Sequence, residues 1–148
     1  GKAALSARVV VADWRCDWIG PGIAERLTRA GSHVTLAVNG THPGESLPLY
    51  VRDTMAATLQ DLGVAIRPYA RLYGTAGDTV YLQHTASGAA MEITGVDTVV
   101  LALGHQSVDD LSASLLARGV DVRMIGDCLS PRTAEEAVFD GLKAGVAV

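Results

Sequence analysis

The chain has 148 residues, 49% of them hydrophobic and 19% charged, which is the size and composition of one folded domain. Its formal net charge of -4 is mild. Because nucleic-acid-binding domains are normally basic, we expect no nucleic-acid partner. The longest apolar runs, near 9–12 and 99–103, are far shorter than a membrane span, so we expect no membrane partner either.

The two cysteines, Cys16 and Cys128, are far apart in sequence, and neither lies in a Cys/His cluster. We therefore expect no disulfide framework and no metal site, and we place the protein in the reducing cytoplasm. Cys16 falls in a turn between charged residues that is expected to be exposed. The chain has no initial methionine and ends abruptly, so we expect a piece of a larger polypeptide, with residues 1–7 a linker or tag remnant.

The first elements along the chain form a β-α-β unit. The β-branched run at 8–12 predicts a buried parallel strand, and 33–38 predicts a second one. Between them, residues 20–30 carry apolar side chains at helical spacing, and Gly31 is a typical helix stop. The size of this unit is that of a right-handed crossover between parallel strands.

The rest of the chain continues the alternation of strands and helices. In chain order, the patterns predict a helix over 49–63, a strand over 64–74, a β-hairpin over 78–95, a strand over 96–104, a helix over 109–118, a strand over 120–127 and a helix over 130–145. Thr133 is placed to cap the last helix. Together these elements predict an α/β, three-layer Rossmann-like fold with a parallel sheet and a small antiparallel β-hairpin insert.

The first strand–turn–helix lacks the glycines of a dinucleotide-binding turn. If Gly20 is taken as the third glycine of that motif, Arg15 and Asp17 occupy the first two positions, where side chains crowd the phosphates. Asn39 follows the second strand, where an acidic residue normally holds the ribose hydroxyls. We expect Gly20 and Gly22 to keep the helix close to the sheet. The motif therefore predicts a dinucleotide scaffold whose site is lost or altered.

Three residues of this turn allow two interpretations each. Asp13 ends the first strand, at the sheet edge where such folds bind ligands, but it is more often a turn or cap residue. Trp14 and Trp18 can stack on an adenine or a partner domain, but we expect them to fold back onto the core.

The order of these pieces resembles a known group of flavoproteins. "VVVADW...GPGIAERLTRAGSHVTLAV" is similar to the first unit of an NAD(P)-type domain, and "ITGVDTVVLALGHQ" to the segment that ends it. "IGDCLSPRTAEEAVFDG" resembles the segment that returns to an FAD-type domain in the NADH:flavin oxidoreductase group, which includes trimethylamine dehydrogenase and 2,4-dienoyl-CoA reductase. The resemblance covers nearly the whole chain.

The resemblance implies a domain organisation. Residues 8–148 would form a single Rossmann-like domain, with 8–104 the NAD(P)-type insert and 119–148 the returning segment. The parent would carry FMN and an iron–sulfur cluster in an N-terminal barrel, with ADP or FAD as further ligands that the resemblance allows. No cofactor is assigned with certainty to this chain. In the related proteins the aspartate at the position of Asp127, after Gly126, contacts a flavin ribitol or a ribose. Alternatively, Asp127 caps the last helix or binds nearby amides, and Arg132 faces a phosphate, a neighbouring domain or solvent.

These features lead to one functional expectation with two alternatives. We expect the mainly structural C-terminal nucleotide-binding-like domain of a flavin-dependent oxidoreductase of the amine dehydrogenase or enoate reductase type, which is not catalytic by itself. The alternatives are a functional NAD(P)H-binding domain that delivers electrons to a flavin, and a non-catalytic interaction module. The partners implied are the missing barrel and FAD-type half, an electron-transfer flavoprotein, and further copies in an oligomer. The candidate nucleotide contacts are Asp13, Gly20, Gly22, Gly126 and Asp127.

Overall fold

A computed structural model describes residues 7–147, so most of the predicted linker at 1–7 lies outside the described residues. The chain divides into two compact units, with the boundary between Gly104 and His105.

The first unit contains seven strands and two helices. In chain order these are β1 (Arg8–Asp13), α1 (Ile19–Arg29), β2 (His33–Val38), α2 (Leu49–Asp61), β3 (Ala65–Arg67), β4 (Ala70–Ala76), β5 (Thr79–His84), β6 (Ala90–Ile93) and β7 (Thr98–Ala102). Strands β3, β2, β1 and β7 form a parallel sheet in that order, and β4, β5 and β6 form an antiparallel sheet.

The two central strands of the parallel sheet, β1 and β2, are buried on both faces, as their apolar sequences predict. Alternate residues of β1 point to opposite faces, so Val9 and Val11 pack in one core cluster with Ala24 of α1 and Leu59 of α2. Val10 packs in a second cluster with residues of the antiparallel sheet. The predicted α/β, three-layer Rossmann-like architecture is therefore confirmed, and one outer layer of this unit is the small antiparallel sheet.

Two details of the first unit differ from the prediction. The strand predicted over 64–74 is broken between β3 and β4, which belong to different sheets. Pro68 has no N–H to donate to a strand partner, and Tyr69 has a left-handed φ of 53°, which turns the chain. The predicted hairpin is present as β5 and β6, and β4 pairs with it to make three strands.

The second unit is built from short helices and extended segments. It contains α3 (Ser112–Leu116), a 3-10 helix (Gly126–Cys128) and α4 (Ala134–Val146). The strand predicted over 120–127 is wrong. Among residues 105–147 there is no strand for it to pair with, and a single strand leaves its backbone groups without partners.

Candidate functional site

Asp13 lies at the carboxyl end of β1, where a sheet of this kind binds ligands. Its side chain is only 2% exposed, and Oδ1 accepts a hydrogen bond from the Cys16 N–H at 3.0 Å. This bond gives Asp13 the turn role that its position after a strand favours. Oδ2 is buried and has no hydrogen-bond partner among residues 7–147.

Gly20, in the first turn of α1, lies directly against the Asp13 carboxyl. A Cβ atom added at Gly20 would be 2.5 Å from Cγ, 2.6 Å from Oδ2 and 2.7 Å from Cβ of Asp13. The expected close approach of helix and strand at Gly20 is therefore confirmed. The same expectation is wrong for Gly22, because a Cβ atom there would meet nothing within 4 Å.

The sharp turn after β1 is made at a residue other than glycine. Cys16 has a left-handed φ of 52°, a conformation that glycine adopts more easily. The expectation that Cys16 is exposed is wrong, because its side chain is buried. Burial raises the pKa of the Cys16 thiol, and a hydrogen bond from the Gly40 N–H opposes that rise. The thiol is therefore poorly placed to react as a thiolate.

The loop between β2 and α2 is bound to this turn. The Gly40 N–H donates to Cys16 Sγ at 3.3 Å, and the Ser46 N–H and Oγ each donate to the Cys16 carbonyl at 3.1 Å. The Asn39 N–H donates to the Asp13 carbonyl at 3.0 Å. Asn39 thus binds the end of β1 through its main-chain N–H, at the position where a dinucleotide site would use an acidic side chain.

The N-terminus of α1 is occupied by a side chain of the same turn. Asp17 Oδ1 accepts a hydrogen bond from the Ile19 N–H at 2.9 Å, and its other oxygen pairs with Arg15 at 2.9 Å. Pro21 has no N–H, and the Gly22 N–H donates to the Trp18 carbonyl. Of the amides of residues 19–22, that of Gly20 alone is left for a ligand, and the Asp13 carboxyl lies against this residue.

The electrostatics of the site disfavour another anion. The pKa of Asp13 is raised from 3.8 to about 6, because burial and the nearby Asp17 charge raise it more than the hydrogen bond from Cys16 lowers it. Asp13 is therefore mainly ionised at pH 7, next to a second carboxylate, and it repels a phosphate.

The two tryptophans of the turn are exposed, so the expectation that they fold back onto the core is wrong. Trp18 is 62% exposed and Trp14 is 44% exposed. The guanidinium of Arg71, on β4, lies 5.9 Å from the centre of the Trp14 ring. This cation–π contact ties Trp14 to the antiparallel sheet and leaves Trp18 open to solvent.

The second candidate segment, Gly126–Asp127, lies in the second unit. Gly126 is buried with a left-handed φ of 63°, which explains the glycine. Asp127 is exposed and does not cap the last helix, so that interpretation is wrong. Thr133 is the N-cap, as predicted, and forms a capping box with Glu136. Arg132, which precedes α4, pairs with Asp140 on that helix.

No group of three or more His, Cys, Asp or Glu side chains is arranged to hold a metal ion among residues 7–147. The same residues contain no helix that is long and apolar enough to cross a membrane.

Sequence reasoning missed the close contact between the Asp13 carboxyl and Gly20. It singled out Arg15 and Asp17, whereas the structure also places the Asp13 carboxyl and the loop that carries Gly40 and Ser46 at this turn. The available signal for Asp13 was an acidic residue directly after a buried strand. No local signal pointed to Ser46, which is 30 residues from Cys16.

Several known proteins are similar to this chain, although no family model matches it. Dimethylamine dehydrogenase of Hyphomicrobium sp. (strain x) is 28% identical in an alignment of length 170 that covers 95% of this chain and 23% of that protein. The structure of histamine dehydrogenase from Rhizobium sp. 4-9 matches with a TM-score of 0.85 at 26% identity, over 95% of this chain and 23% of that one. A 2-naphthoyl-CoA reductase structure matches with a TM-score of 0.78 at 27% identity, over 100% of this chain and 22% of that one.

This chain therefore spans about a quarter of the length of these relatives. The resemblance that its motifs indicate is confirmed: the chain is related to the C-terminal nucleotide-binding-like domain of the NADH:flavin oxidoreductase and trimethylamine dehydrogenase group.

Proposed function

We propose that this chain is a mainly structural, nucleotide-binding-like domain of a larger flavin-dependent oxidoreductase, with a degenerate dinucleotide site. The observation that carries the proposal is the state of the amides at the start of α1. A dinucleotide site offers free backbone N–H groups to the pyrophosphate at this position. Here Asp17 takes the N–H of Ile19, and Pro21 offers none.

The β1–α1 turn supports the same conclusion. In a dinucleotide site, glycines let the backbone approach the phosphates. Here the left-handed residue is Cys16, whose side chain and carbonyl hold the β2–α2 loop in place. This turn is tied to its own chain by hydrogen bonds, so it serves the architecture of the unit.

The second unit supports a role within a larger assembly. Many of its large apolar side chains are exposed, and in a soluble protein a concentration of such side chains marks a surface that another chain or domain covers. They are Val108, Leu111, Leu116, Val120, Ile125, Leu129, Val138, Phe139, Leu142 and Val146. In the proposal, 8–104 is the NAD(P)-type insert, 119–148 is the returning segment, and the FAD-type half and the barrel cover the exposed side chains.

The cofactor chemistry belongs to the rest of the parent protein in this proposal. The thiolate ligands that an iron–sulfur cluster needs are not grouped among residues 7–147, so a cluster does not fit here. We assign FMN and the cluster to the barrel of the parent protein, and we propose that this parent protein is cytoplasmic. An electron-transfer flavoprotein is the proposed acceptor, and oligomer formation is a property of the whole parent. Any remaining contact with ADP or FAD would involve Gly20, Gly22, Gly126 or Asp127, with Asp127 facing a ribose or ribitol hydroxyl.

Calorimetric titration of the chain with NADH, NADPH and ADP tests the proposal. We expect no binding tighter than about 1 mM, because the site lacks free amides and carries two carboxylates. Micromolar binding of NADH or NADPH would instead establish a functional dinucleotide domain that delivers electrons to a flavin. Upstream coding sequence without a barrel would contradict the proposed parent protein.

A further inference from the structure

The start of α1 contains a group that the degenerate glycine pattern does not explain. A helix N-terminus attracts anions through its free amides and its dipole. The side chain that reaches this N-terminus from β1 is Asp13. It is 2% exposed, and its Oδ2 atom is buried without a partner among residues 7–147.

The position of this carboxyl is fixed from two sides. On one side, Oδ1 is held by the Cys16 N–H at 3.0 Å. On the other, Gly20 leaves open the space that the carboxyl fills, since a Cβ atom there would be 2.6 Å from Oδ2. Burying one carboxylate oxygen, Oδ2, without a hydrogen bond is costly, and such an atom persists only where the surrounding structure enforces it.

Asp17 fills the neighbouring position. Its Oδ1 accepts from the Ile19 N–H at 2.9 Å, so it takes a helix amide that a phosphate oxygen would otherwise use. Arg15 pairs with the other oxygen of Asp17, and Asp13 forms no ion pair among residues 7–147.

We propose that the carboxyls of Asp13 and Asp17 occupy the positions that phosphate groups would take at the start of α1. The chain thereby supplies its own anions to this site, and these two carboxyls exclude ligands that carry phosphate. The inference rests on the proposed function, because it explains why the dinucleotide site is degenerate. It makes Asp13 and Asp17 residues that determine specificity, acting by occupancy and by like charge.

The experiment compares ADP binding by variants of the full chain at pH 7. In Asp13→Ala/Asp17→Ala both the carboxyl volume and the charge are removed, so we expect ADP to bind at least about tenfold more tightly than to the wild type. In Asp13→Asn/Asp17→Asn the volume remains and the charge is lost, so we expect a smaller gain. The matched control, Asp61→Asn/Asp78→Asn, changes the net charge equally at two exposed positions and should leave the affinity unchanged.

Circular dichroism establishes that each variant is folded. An alanine variant that is folded but binds ADP no better than the wild type overturns the inference, and so does an equal gain in the control. If the alanine variant does not fold, the asparagine variant decides, and the absence of any gain there overturns the inference. Failure of the proposed function is a separate outcome, seen as micromolar dinucleotide binding by the wild type itself.

Discussion

The two units of this chain differ in the burial of their apolar side chains. The first unit buries Val9, Val11, Leu36 and Leu59 between its layers, and its β1–α1 turn is closed by hydrogen bonds within the unit. In the second unit α4 exposes an apolar stripe that includes Phe139 and Leu142. The first unit therefore has its own core, whereas the second leaves much of its apolar surface exposed.

The largest expected effect comes from one substitution made in both units. Leu59→Ala removes a side chain of α2 that is 0% exposed, and we expect a loss of about 3 kcal/mol in the free energy of unfolding. Leu142→Ala, on α4, removes a side chain that is 61% exposed, and we expect a change within about 0.5 kcal/mol. Urea denaturation measures both values. Equal losses would show that the second unit has a core of its own.

The pH dependence of stability probes the Asp13 carboxyl. Its pKa is raised from 3.8 to about 6 in the folded chain, so the folded state binds the proton more tightly than the unfolded state does. Protonated Asp13 therefore contributes about 2 to 3 kcal/mol to the free energy of unfolding below about pH 4. This contribution is lost as the pH rises through about 6.

Urea denaturation at pH 4, 5, 6 and 7 measures this slope. In Asp13→Asn the loss between pH 4 and pH 6 should largely disappear, while the matched exposed variant Asp61→Asn should keep it. A slope in Asp13→Asn equal to that of the wild type would contradict the burial of an uncompensated carboxyl at this position.

Two glycines of α1 form the next comparison. We expect Gly20→Ala to cost about 2 kcal/mol, because its Cβ would lie within 2.7 Å of Asp13 Cβ. We expect Gly22→Ala to be neutral or to stabilise by up to about 1 kcal/mol, because a helix favours alanine and the position is open. Adding Asp13→Ala removes the contacts with Cγ and Oδ2 but keeps Cβ of residue 13, so it should restore only part of the loss at Gly20. Thermal unfolding of the three variants decides, and equal effects at both glycines would refute the close contact.

The smallest expected effect concerns the capping box of α4. Thr133→Ala removes the N-cap, and we expect a loss of about 1 kcal/mol in the stability of this helix. The readout is a fall in the far-ultraviolet circular dichroism signal of helix. Thr54→Ala, on the exposed surface of α2, is the control and should change the signal little. An unchanged signal in Thr133→Ala would mean that α4 does not depend on its cap.

The fold of the first unit was largely predictable because its signals are local. The runs at 8–12 and 33–38 and the helical spacing between them specify a β-α-β unit by themselves. The break between β3 and β4 had one local signal, since Pro68 cannot donate a strand hydrogen bond, but the left-handed turn at Tyr69 had none. The strand predicted over 120–127 failed because a strand depends on a partner, and residues 105–147 provide none.

The lack of glycines in the candidate turn can be read from the sequence, but the contacts that hold the turn cannot. The absence of glycines at Arg15 and Asp17 predicts an altered phosphate turn, which is a statement about backbone access. The burial of Cys16 depends on Gly40 and Ser46, and these contacts span 24 and 30 residues. Contacts at such separations are set by the folded chain, so periodicity and spacing do not reveal them.

The most direct test of the account is calorimetric titration of the wild-type chain with NADH at pH 7. The account predicts no binding tighter than about 1 mM, because the start of α1 is occupied by carboxyls of the chain itself. A micromolar dissociation constant would contradict it and would show that the turn at 13–20 opens to accept a dinucleotide.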